Sequence, residues 1–330
     1  MTSQAKNIIQ YIQDRNLILV HHNADPDAVG SAQGLKEICK KTRPGSTTKI
    51  VLPEGPSRLS RKIIQELEIN IAEGTSSESF DTIFILDTGS LNQLEQWKEY
   101  VIETEANIVI VDHHTFNENL KELASLYLTD EKATSTSEII YTVFKEQNQV
   151  PTKKTAKAIL AGILFDTKHL SIGEPSTFRV VSELLEISGS IMEIKQLLSS
   201  VLHPSEKIAR LKAAQRTEIE IIGDWIVAFS HLGSFQASAA RALLVLGADV
   251  AVVSGKDGDT LKSSIRSTES FWRETHLDFG EVMREISVKL EGSGSGHPTA
   301  AGYNGSGELD ELHKEILSLI RKHLENIEVY

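Results

Sequence analysis

The sequence predicts an α/β protein of two domains, a first domain built on a parallel sheet and a smaller second α/β domain. Three observations lead to this fold class. Apolar runs of strand length alternate with helical patterns through the first half of the chain. These runs are almost wholly apolar, as strands buried on both faces must be. The chain of 330 residues also exceeds the size at which a single hydrophobic core usually divides.

The first half contains five predicted strands, and the residues that follow them are the first candidates for function. In an open parallel sheet the ligand crevice lies beyond the carboxyl ends of the strands. The strands are predicted over residues 17–20, 49–52, 82–86, 107–111 and 125–129. Helices are predicted over residues 4–15, 28–41, 57–68 and 90–101. From Ser135 to about Ile219 the pattern is mainly helical.

A second α/β pattern begins near Glu220. It predicts a strand over residues 221–229, a helix over 235–246, strands over 249–254 and 259–266, and a helix over 279–290. Asp257-Gly258 separates the middle two strands and is a hairpin signal. We therefore expect a first domain over residues 1–190, a helical connector over 191–218 with a helix starting at Pro204, and a second domain over 219–330.

Composition limits the classes of partner. With 34 basic and 46 acidic residues the net charge is −12, which disfavours binding to long duplex DNA. Acids gathered in one cleft can still hold divalent cations that attract a phosphate. The sequence has no run of about 18 apolar residues and no signal-peptide pattern, so we expect a cytoplasmic protein without a membrane partner. The single cysteine, Cys39, is expected to be a small core residue.

The loop after the first strand is the first candidate site. It reads HHNADPDAVGSA and places His21, Asp25 and Asp27 in the pattern H-x3-D-x-D. An imidazole and two carboxylates on one short loop suit Mn²⁺ or Mg²⁺. The alternative is structural, with Asp27 capping a helix that starts at Ala28 and Asp25 in a turn before Pro26.

Two further strands end in the same way. Asp87 follows strand 82–86, and Asp112-His113-His114 follows strand 107–111. Asp166 is expected after an apolar turn between helices, where an unpaired carboxylate should face a cation or a helix end. Six candidate ligands are more than one catalytic ion usually takes, and two ions sharing a carboxylate would use all of them. The six are His21, Asp25, Asp27, Asp87, His113 and Asp166. Neither the zinc motif H-E-x-x-H nor the serine motif G-x-S-x-G is present.

These segments resemble the DHH family of phosphoesterases, which is named for the triplet Asp112-His113-His114. The match covers HHNADPDAVGS, ILDTGS, VDHHT and GILFDT, with support from ATSTSEII (133–140) and PSTFRVVSELL (175–185). The resemblance implies two divalent cations, Mn²⁺ in preference to Mg²⁺. It implies one ion on His21, Asp25 and Asp87, and the other on Asp27, Asp87, His113 and Asp166. It further implies catalytic roles for the bridging Asp87, for Asp112 as the partner of an adjacent imidazole, and for His114 near the substrate phosphate.

The C-terminal half resembles the DHHA1 domain. Its glycine motif corresponds to GSGSGHPTAAG over residues 292–302, which we expect to be a loop, and two serines interrupt the glycine run. Glycine lets a backbone approach a phosphate closely, and arginine can bind a terminal phosphate through two hydrogen bonds. The resemblance implies an active-site cleft between the two domains. The residues implied to bind substrate are His114, Arg266, Gly294, Gly296 and His297.

The compact two-domain form resembles the nanoRNase and 3'-phosphoadenosine 5'-phosphate (pAp) phosphatase branch of this family. We expect an exonuclease or oligoribonuclease that hydrolyses short single-stranded oligonucleotides, pApA or pAp with water activated by two cations. One alternative is a hydrolase of phosphoanhydrides like family II pyrophosphatase or exopolyphosphatase, and another is a catalytically silent nucleotide-binding protein. The sequence is compatible with RNA or DNA as substrate, with either strand polarity, with a range of substrate lengths and with a homodimer.

Overall fold

The computed structural model describes residues 5–72, 78–199, 202–258 and 260–327. The chain forms two compact units whose boundary falls at residues 200–201. Each unit is an α/β body with its own sheet, so the predicted fold class is confirmed. Within the described ranges, none of the helices combines the length and the apolar composition that a membrane crossing requires.

The first unit is a five-stranded parallel sheet with the strand order β2-β1-β3-β4-β5. Its strands are β1 (Arg15–Val20), β2 (Thr47–Val51), β3 (Thr82–Leu86), β4 (Asn107–Asp112) and β5 (Leu126–Thr129). Its helices are α1 (Pro26–Thr42), α2 (Arg58–Glu66), α3 (Trp97–Glu103), α4 (Glu118–Leu123), α5 (Thr136–Glu146), α6 (Lys153–Asp166), α7 (Pro175–Ser188) and α8 (Ile191–Leu198). Two 3-10 helices cover Ala5–Tyr11 and Leu91–Leu94.

The register of this sheet brings three strand ends to one edge. Val20 of β1 lies opposite Leu86 of β3, which lies opposite Val111 of β4. Alternate strand residues face opposite sides, so Ile18 enters the core beneath α1, α5 and α6, and Leu17 enters the core beneath α3 and α4. Both faces are therefore buried, which explains the continuous apolar runs, and the polar residues after the strands share one edge.

The second unit is a six-stranded mixed sheet with the order β10-β11-β9-β8-β7-β6. Its strands are β6 (Glu218–Ile222), β7 (Trp225–His231), β8 (Val250–Asp257), β9 (Thr260–Ser267), β10 (Gly292–His297) and β11 (Ala300–Gly305). Its helices are α9 (Pro204–Gln215), α10 (Gln236–Val245), α11 (Glu269–Thr275), α12 (Phe279–Lys289) and α13 (Leu309–Ile327). One face packs on α11, α12 and α13 and the other on α9 and α10.

Several element boundaries differ from the sequence predictions. The strand expected over residues 221–229 is two antiparallel strands, because Gly223 adopts a φ of +59° and turns the chain between β6 and β7. The helix expected over residues 4–15 is a 3-10 helix over Ala5–Tyr11, and residue 4 lies outside the described residues. The helix expected over residues 90–101 is a 3-10 turn followed by α3. Residue 259, expected to start a strand, also lies outside the described residues.

The prediction of a loop over residues 292–302 is wrong, because this glycine-rich segment forms β10, a tight turn and the start of β11. Close packing explains two of its glycines. A Cβ on Gly294 would lie 1.9 Å from the carbonyl oxygen of Met283 in α12, and a Cβ on Gly296 would lie 2.4 Å from the Cα of Ala301. The absence of side chains here lets a helix and a neighbouring strand approach the strand backbone.

Candidate metal centre

The loop after β1 presents an imidazole nitrogen to two carboxylates. The Nδ1 of His21 donates to the carbonyl oxygen of His22 at 2.7 Å, since a carbonyl can only accept. This leaves Nε2 at 3.7 Å from Asp25 Oδ1 and 3.7 Å from Asp87 Oδ2. Those distances are too long for hydrogen bonds, but two atoms that share one cation at about 2.1 Å lie roughly 3.0 to 3.5 Å apart. The Nε2 lone pair of a neutral His21 is therefore oriented for metal binding.

Asp25 begins helix α1. Its Oδ1 accepts from the backbone amides of Asp27 at 2.9 Å and Ala28 at 3.0 Å. The structural alternative, in which Asp27 caps this helix, is wrong because the N-cap is Asp25. Burial opposes ionisation of Asp25, but the nearby His21 imidazole and the two amides hold its pKa below the usual value. The cap fixes the loop that carries the first two acids.

Asp27 is fully buried and faces the first turn of α5. Its Oδ2 accepts from the amide of Thr136 at 2.7 Å, and its Oδ1 accepts from the amide of Ser137 at 2.9 Å. The amino end of a helix favours a carboxylate. Burial and the charge of Asp25 nevertheless raise the pKa of Asp27 to about 6. Backbone amides carry no residue-type signal, so the role of these two cannot be predicted from sequence, although Ser135 and Glu138 have the capping-box spacing that marks a helix start.

Asp87 lies at the centre of the cluster. Its backbone adopts a left-handed φ of +54°, which is rare for a residue with a Cβ, and its side chain is 3% exposed. The Oδ1 atom accepts from the Thr136 hydroxyl at 3.1 Å and lies 3.6 Å from His113 Nε2, while Oδ2 faces His21. Burial and four neighbouring aspartates raise the pKa of Asp87 well above its usual value. The two carboxylate oxygens thus face two different imidazoles.

Asp166 completes the cluster from the end of α6. It is the last residue of that helix rather than a residue beyond an apolar turn, because the 161–167 segment continues the helix. Its Oδ2 lies 3.5 Å from His113 Nε2. Burial and the nearby Asp27 and Asp25 raise its pKa to about 9. A Cβ on Gly162, one turn earlier, would lie 2.7 Å from Asp27 Oδ1, so this glycine lets α6 approach the acids.

The two remaining residues of the triplet form a pair beside the cluster. Asp112 is fully buried, and its Oδ1 accepts from the His113 amide at 2.8 Å and from His114 Nδ1 at 2.7 Å. His114 is half-exposed, and its bond to Asp112 raises the pKa of its imidazole. The Oδ2 of Asp112 is buried and has no hydrogen-bond partner among the described residues. The pair holds His114 with Nδ1 directed inward.

The donor set fits divalent cations. Three groups have potential ligand atoms within 4.8 Å of one another: His21 with Asp25 and Asp87, Asp27 with His113 and Asp166, and Asp87 with His113 and His114. Across the described ranges, only imidazoles lie within ion-pair distance of the four clustered aspartates. Buried carboxylates at this density need positive charge, and mixed carboxylate and imidazole donors suit ions such as Mn²⁺. All six predicted ligands therefore lie in one cluster.

Four of the five residues predicted to bind substrate lie in the second unit, where Arg266 and His297 form a row across the sheet. His297 of β10 pairs with Ala300 of β11, which pairs with Arg266 of β9. Directly paired residues share a sheet face, so the exposed His297 and the half-buried Arg266 lie on one face, about 10 Å apart by strand spacing. Burial and the charge of Arg241 in α10 lower the pKa of Arg266. Arg241 had no sequence signal beyond its charge.

Both units are similar to known protein families. Residues 15–163 match the model of the DHH family, N-terminal domain, and residues 228–325 match that of the DHHA1 domain. The uncharacterized protein MJ0988 of Methanocaldococcus jannaschii is 36% identical over 96% of both chains. The probable bifunctional oligoribonuclease and PAP phosphatase NrnA of Streptococcus mutans is 26% identical over 96% of this chain and 99% of that protein.

Two further similarities extend the comparison. A probable manganese-dependent inorganic pyrophosphatase of Lactococcus lactis is 27% identical, over 55% of this chain and 58% of that protein. The crystal structure of an exopolyphosphatase-related protein from Bacteroides fragilis superposes with a TM-score of 0.67 over 98% of this chain and 97% of that one, at 16% identity, which supports the fold. The donor geometry and these matches agree: the chain belongs to the DHH family of phosphoesterases, whose members hydrolyse phosphoester or phosphoanhydride bonds, and it carries a C-terminal DHHA1 domain.

Proposed function

We propose that this protein hydrolyses short single-stranded oligonucleotides and small phosphorylated nucleotides such as pApA and pAp, with two divalent cations, Mn²⁺ in preference to Mg²⁺. The observation that carries the proposal is the cluster of six carboxylate and imidazole side chains that has Asp87 at its centre. A pair of cations, when bound, supplies an activated water and neutralises charge on the phosphoryl oxygens. We propose the cytoplasm as the compartment, because the single cysteine of the sequence, Cys39, is free and buried.

The residues of the chain prepare this site in two ways. The bond from His21 Nδ1 to a carbonyl directs Nε2 toward the acids. Burial opposes protonation of this imidazole, but the neighbouring Asp25 raises its pKa, so a cation bound there would displace a proton from Nε2. The amides of Thr136 and Ser137 fix both oxygens of Asp27, which limits its rotation. We assign His21, Asp25 and Asp87 to one ion and Asp27, Asp87, His113 and Asp166 to the other.

His114 is proposed to contact the substrate phosphate. Because Asp112 accepts from its Nδ1, the Nε2 of His114 is free of that bond, and the raised pKa favours the doubly protonated ring. A protonated Nε2 can donate to a phosphoryl oxygen and stabilise charge that develops there. Asp112 acts through His114 and is a positioning residue.

The second unit is proposed to bind a phosphate remote from the bond that is cleaved. Arg266 and His297 share a sheet face, and Arg241 adds a second guanidinium near the first. Clustered cationic groups of this kind favour a terminal phosphate. Gly294 and Gly296 are proposed to contact the substrate through their backbone. Similarity to the probable oligoribonuclease and PAP phosphatase over nearly both whole chains favours nucleotide substrates over pyrophosphate.

A substrate panel tests this proposal. Purified protein with Mn²⁺ is offered RNA and DNA of two to ten residues, pApA, pAp and inorganic pyrophosphate, and products are separated by chromatography. We expect release of mononucleotides from the shortest oligonucleotides or of phosphate from pAp, with pyrophosphate cleaved at least about a hundredfold more slowly. Pyrophosphate as the best substrate would establish the phosphoanhydride alternative, and binding of nucleotides without any turnover would establish the silent alternative.

A further inference from the structure

A lysine-rich pocket lies in the first unit, away from the residues described so far. Its volume is about 460 Å³, within the range of roughly 300 to 1,000 Å³ that is usual for small-ligand sites. The wall comes from the second half of α1, the start of α6 and the segment after α2. Its charged and hydroxyl-bearing members are Lys36, Glu37, Lys40, Lys41, Thr152 and Lys154.

The pocket has an excess of positive charge. Glu37 is its one acid, and both of its oxygens are already bound: Oε1 accepts from the Thr152 amide at 2.8 Å and from Lys41 at 2.9 Å, and Oε2 accepts from the Thr152 hydroxyl at 2.7 Å. Within the described residues, the other three lysines form no ion pair with a carboxylate; they are Lys36, Lys40 and Lys154. Lys36 and Lys154 instead donate to the carbonyl oxygens of Asn70 at 3.2 Å and Glu68 at 2.6 Å.

Helix electrostatics explains some of these lysines but not all. Lys40 and Lys41 occupy the last turn of α1, where positive charge is favourable. Lys154 lies in the first turn of α6, where positive charge is unfavourable. Burial lowers the pKa of the Lys36 ammonium, and the charge of Lys154 lowers it further. Two like charges held together at a pocket on a chain of net charge −12 call for an anionic partner.

The pocket is separate from the metal centre. Along α6, Lys154 and Asp166 are twelve residues apart, which at 1.5 Å per residue is about 18 Å. Along α1, the lysines follow the Asp25 cap by three turns or more. An anion in this pocket therefore cannot be a substrate phosphate that also contacts the cations.

We propose that this pocket binds a small anion with two or more linked phosphate groups. The shared chemistry is a diphosphate, which matches the charge of three ammonium groups better than a single phosphate does. An inorganic diphosphate and a nucleoside diphosphate are the two sources of this chemistry. The pocket volume admits either ligand.

Calorimetric titration tests the proposal on the full-length chain carrying R266A, which removes the arginine proposed to bind phosphate in the second unit. Excess chelator keeps cations from attracting the ligand, so no turnover is needed and the result is independent of the proposed function. The probes are pyrophosphate and ADP. We expect K36Q/K154Q to weaken binding at least about a hundredfold, since two charged contacts of roughly tenfold or more each are lost, and K36R/K154R to retain it. Binding of both probes identifies the diphosphate as sufficient; binding of ADP alone identifies a nucleotide ligand.

The matched control is K62Q. Lys62 lies in the same unit and also donates to backbone carbonyls, those of Gln196 and Ser199, but it does not line the pocket. Its substitution should leave both dissociation constants unchanged. Glutamine keeps an N–H donor for the carbonyl that each lysine binds, and the single variants K36Q and K154Q are measured alongside in case the double variant unfolds. Absence of binding by both probes, or equal affinity in any folded variant that lacks these charges, overturns the proposal.

Discussion

The candidate metal centre of the first unit and the row of Arg266 and His297 in the second unit are built on opposite principles. In the first unit, acids and imidazoles follow the ends of parallel strands, and Asp87 and Asp27 are buried with little positive charge around them. In the second unit, Arg266 and His297 lie on antiparallel strands, and strand register alone brings them to one face. A parallel sheet therefore collects functional groups at an edge, whereas an antiparallel sheet collects them across its surface.

This difference separates the consequences of mutation. A substitution at the strand edge of the first unit should alter cation binding, because the clustered acids depend on one another through charge. A substitution in the row of the second unit should alter the contact with one phosphate and leave the cations in place. If the two regions are independent in this way, substitutions in each should have separable effects on cation binding and on substrate binding.

The largest effect is expected from Asp87→Ala. Both of its oxygens face imidazoles, so its loss should remove a ligand from both ions and reduce kcat/KM by roughly a thousandfold or more, more than any other single substitution. Steady-state hydrolysis of pApA measures the loss. Asp81→Ala, which removes an acid of the same unit that pairs with Arg15, is the control and should retain activity. Comparable rates for D87A and wild type would show that Asp87 is not a ligand of the cations.

Arg266→Ala should cause a smaller and substrate-dependent loss. A charge-assisted contact contributes about 1.5 to 3 kcal/mol, which is roughly ten- to a hundredfold in kcat/KM for nucleotides that bear the distal phosphate. Bis-p-nitrophenyl phosphate lacks that phosphate, so its hydrolysis should change little. Arg284→Ala, at an exposed arginine of α12, serves as the control. Equal proportional losses on both substrates would mean that Arg266 supports the fold or the metal centre instead.

Binding of Mn²⁺ by the acid cluster of the first unit should also depend on pH. Burial and neighbouring acids raise the pKa of Asp166 to about 9, so the cation-free site holds a proton that a cation must displace. Affinity for Mn²⁺ should therefore rise with pH, roughly ten- to a hundredfold between pH 6.5 and 8.5. Titration calorimetry in two buffers of different ionisation enthalpy gives both the affinity and the protons released. A pH-independent affinity without proton release would contradict the raised pKa.

Alanine substitutions at Gly162 in the first unit and Gly294 in the second should have different effects, because the two glycines pack against different neighbours. A Cβ on Gly162 would lie 2.4 Å from Ser137 Oγ and 2.7 Å from Asp27 Oδ1, so Gly162→Ala should displace Asp27 and weaken Mn²⁺ binding by about tenfold. Gly294→Ala should instead overpack β10 against Met283 and lower the free energy of unfolding by about 1 to 3 kcal/mol, with Mn²⁺ affinity unchanged. Calorimetry and denaturant unfolding of both variants check this. A reversal of the two effects would contradict the packing argument.

Much of the first unit could be predicted from sequence because its chemistry is local. His21, Asp87 and Asp112 each follow an apolar run directly, and parallel register then brings them together. The roles of Thr136 and Ser137 could not be read, since backbone amides carry no residue-type signal. In the second unit, the alignment of Arg266 with His297 depends on the register of three strands, which glycine-rich sequence leaves unspecified. The alternative in which Asp27 caps α1 is wrong. Asp25 and Asp27 are equally good capping residues, and tertiary contacts decide between them.

The central claim is that one carboxylate joins two cation sites at the edge of the first sheet. Equilibrium binding of Mn²⁺, followed by electron paramagnetic resonance of the free ion, tests it most directly on wild type and D87A, with circular dichroism to confirm that both are folded. We expect two Mn²⁺ ions per wild-type chain and a loss of affinity at both sites in D87A, because each site contains an oxygen of Asp87. Two ions bound with undiminished affinity by D87A, or no bound ion in the wild-type chain, would contradict the account.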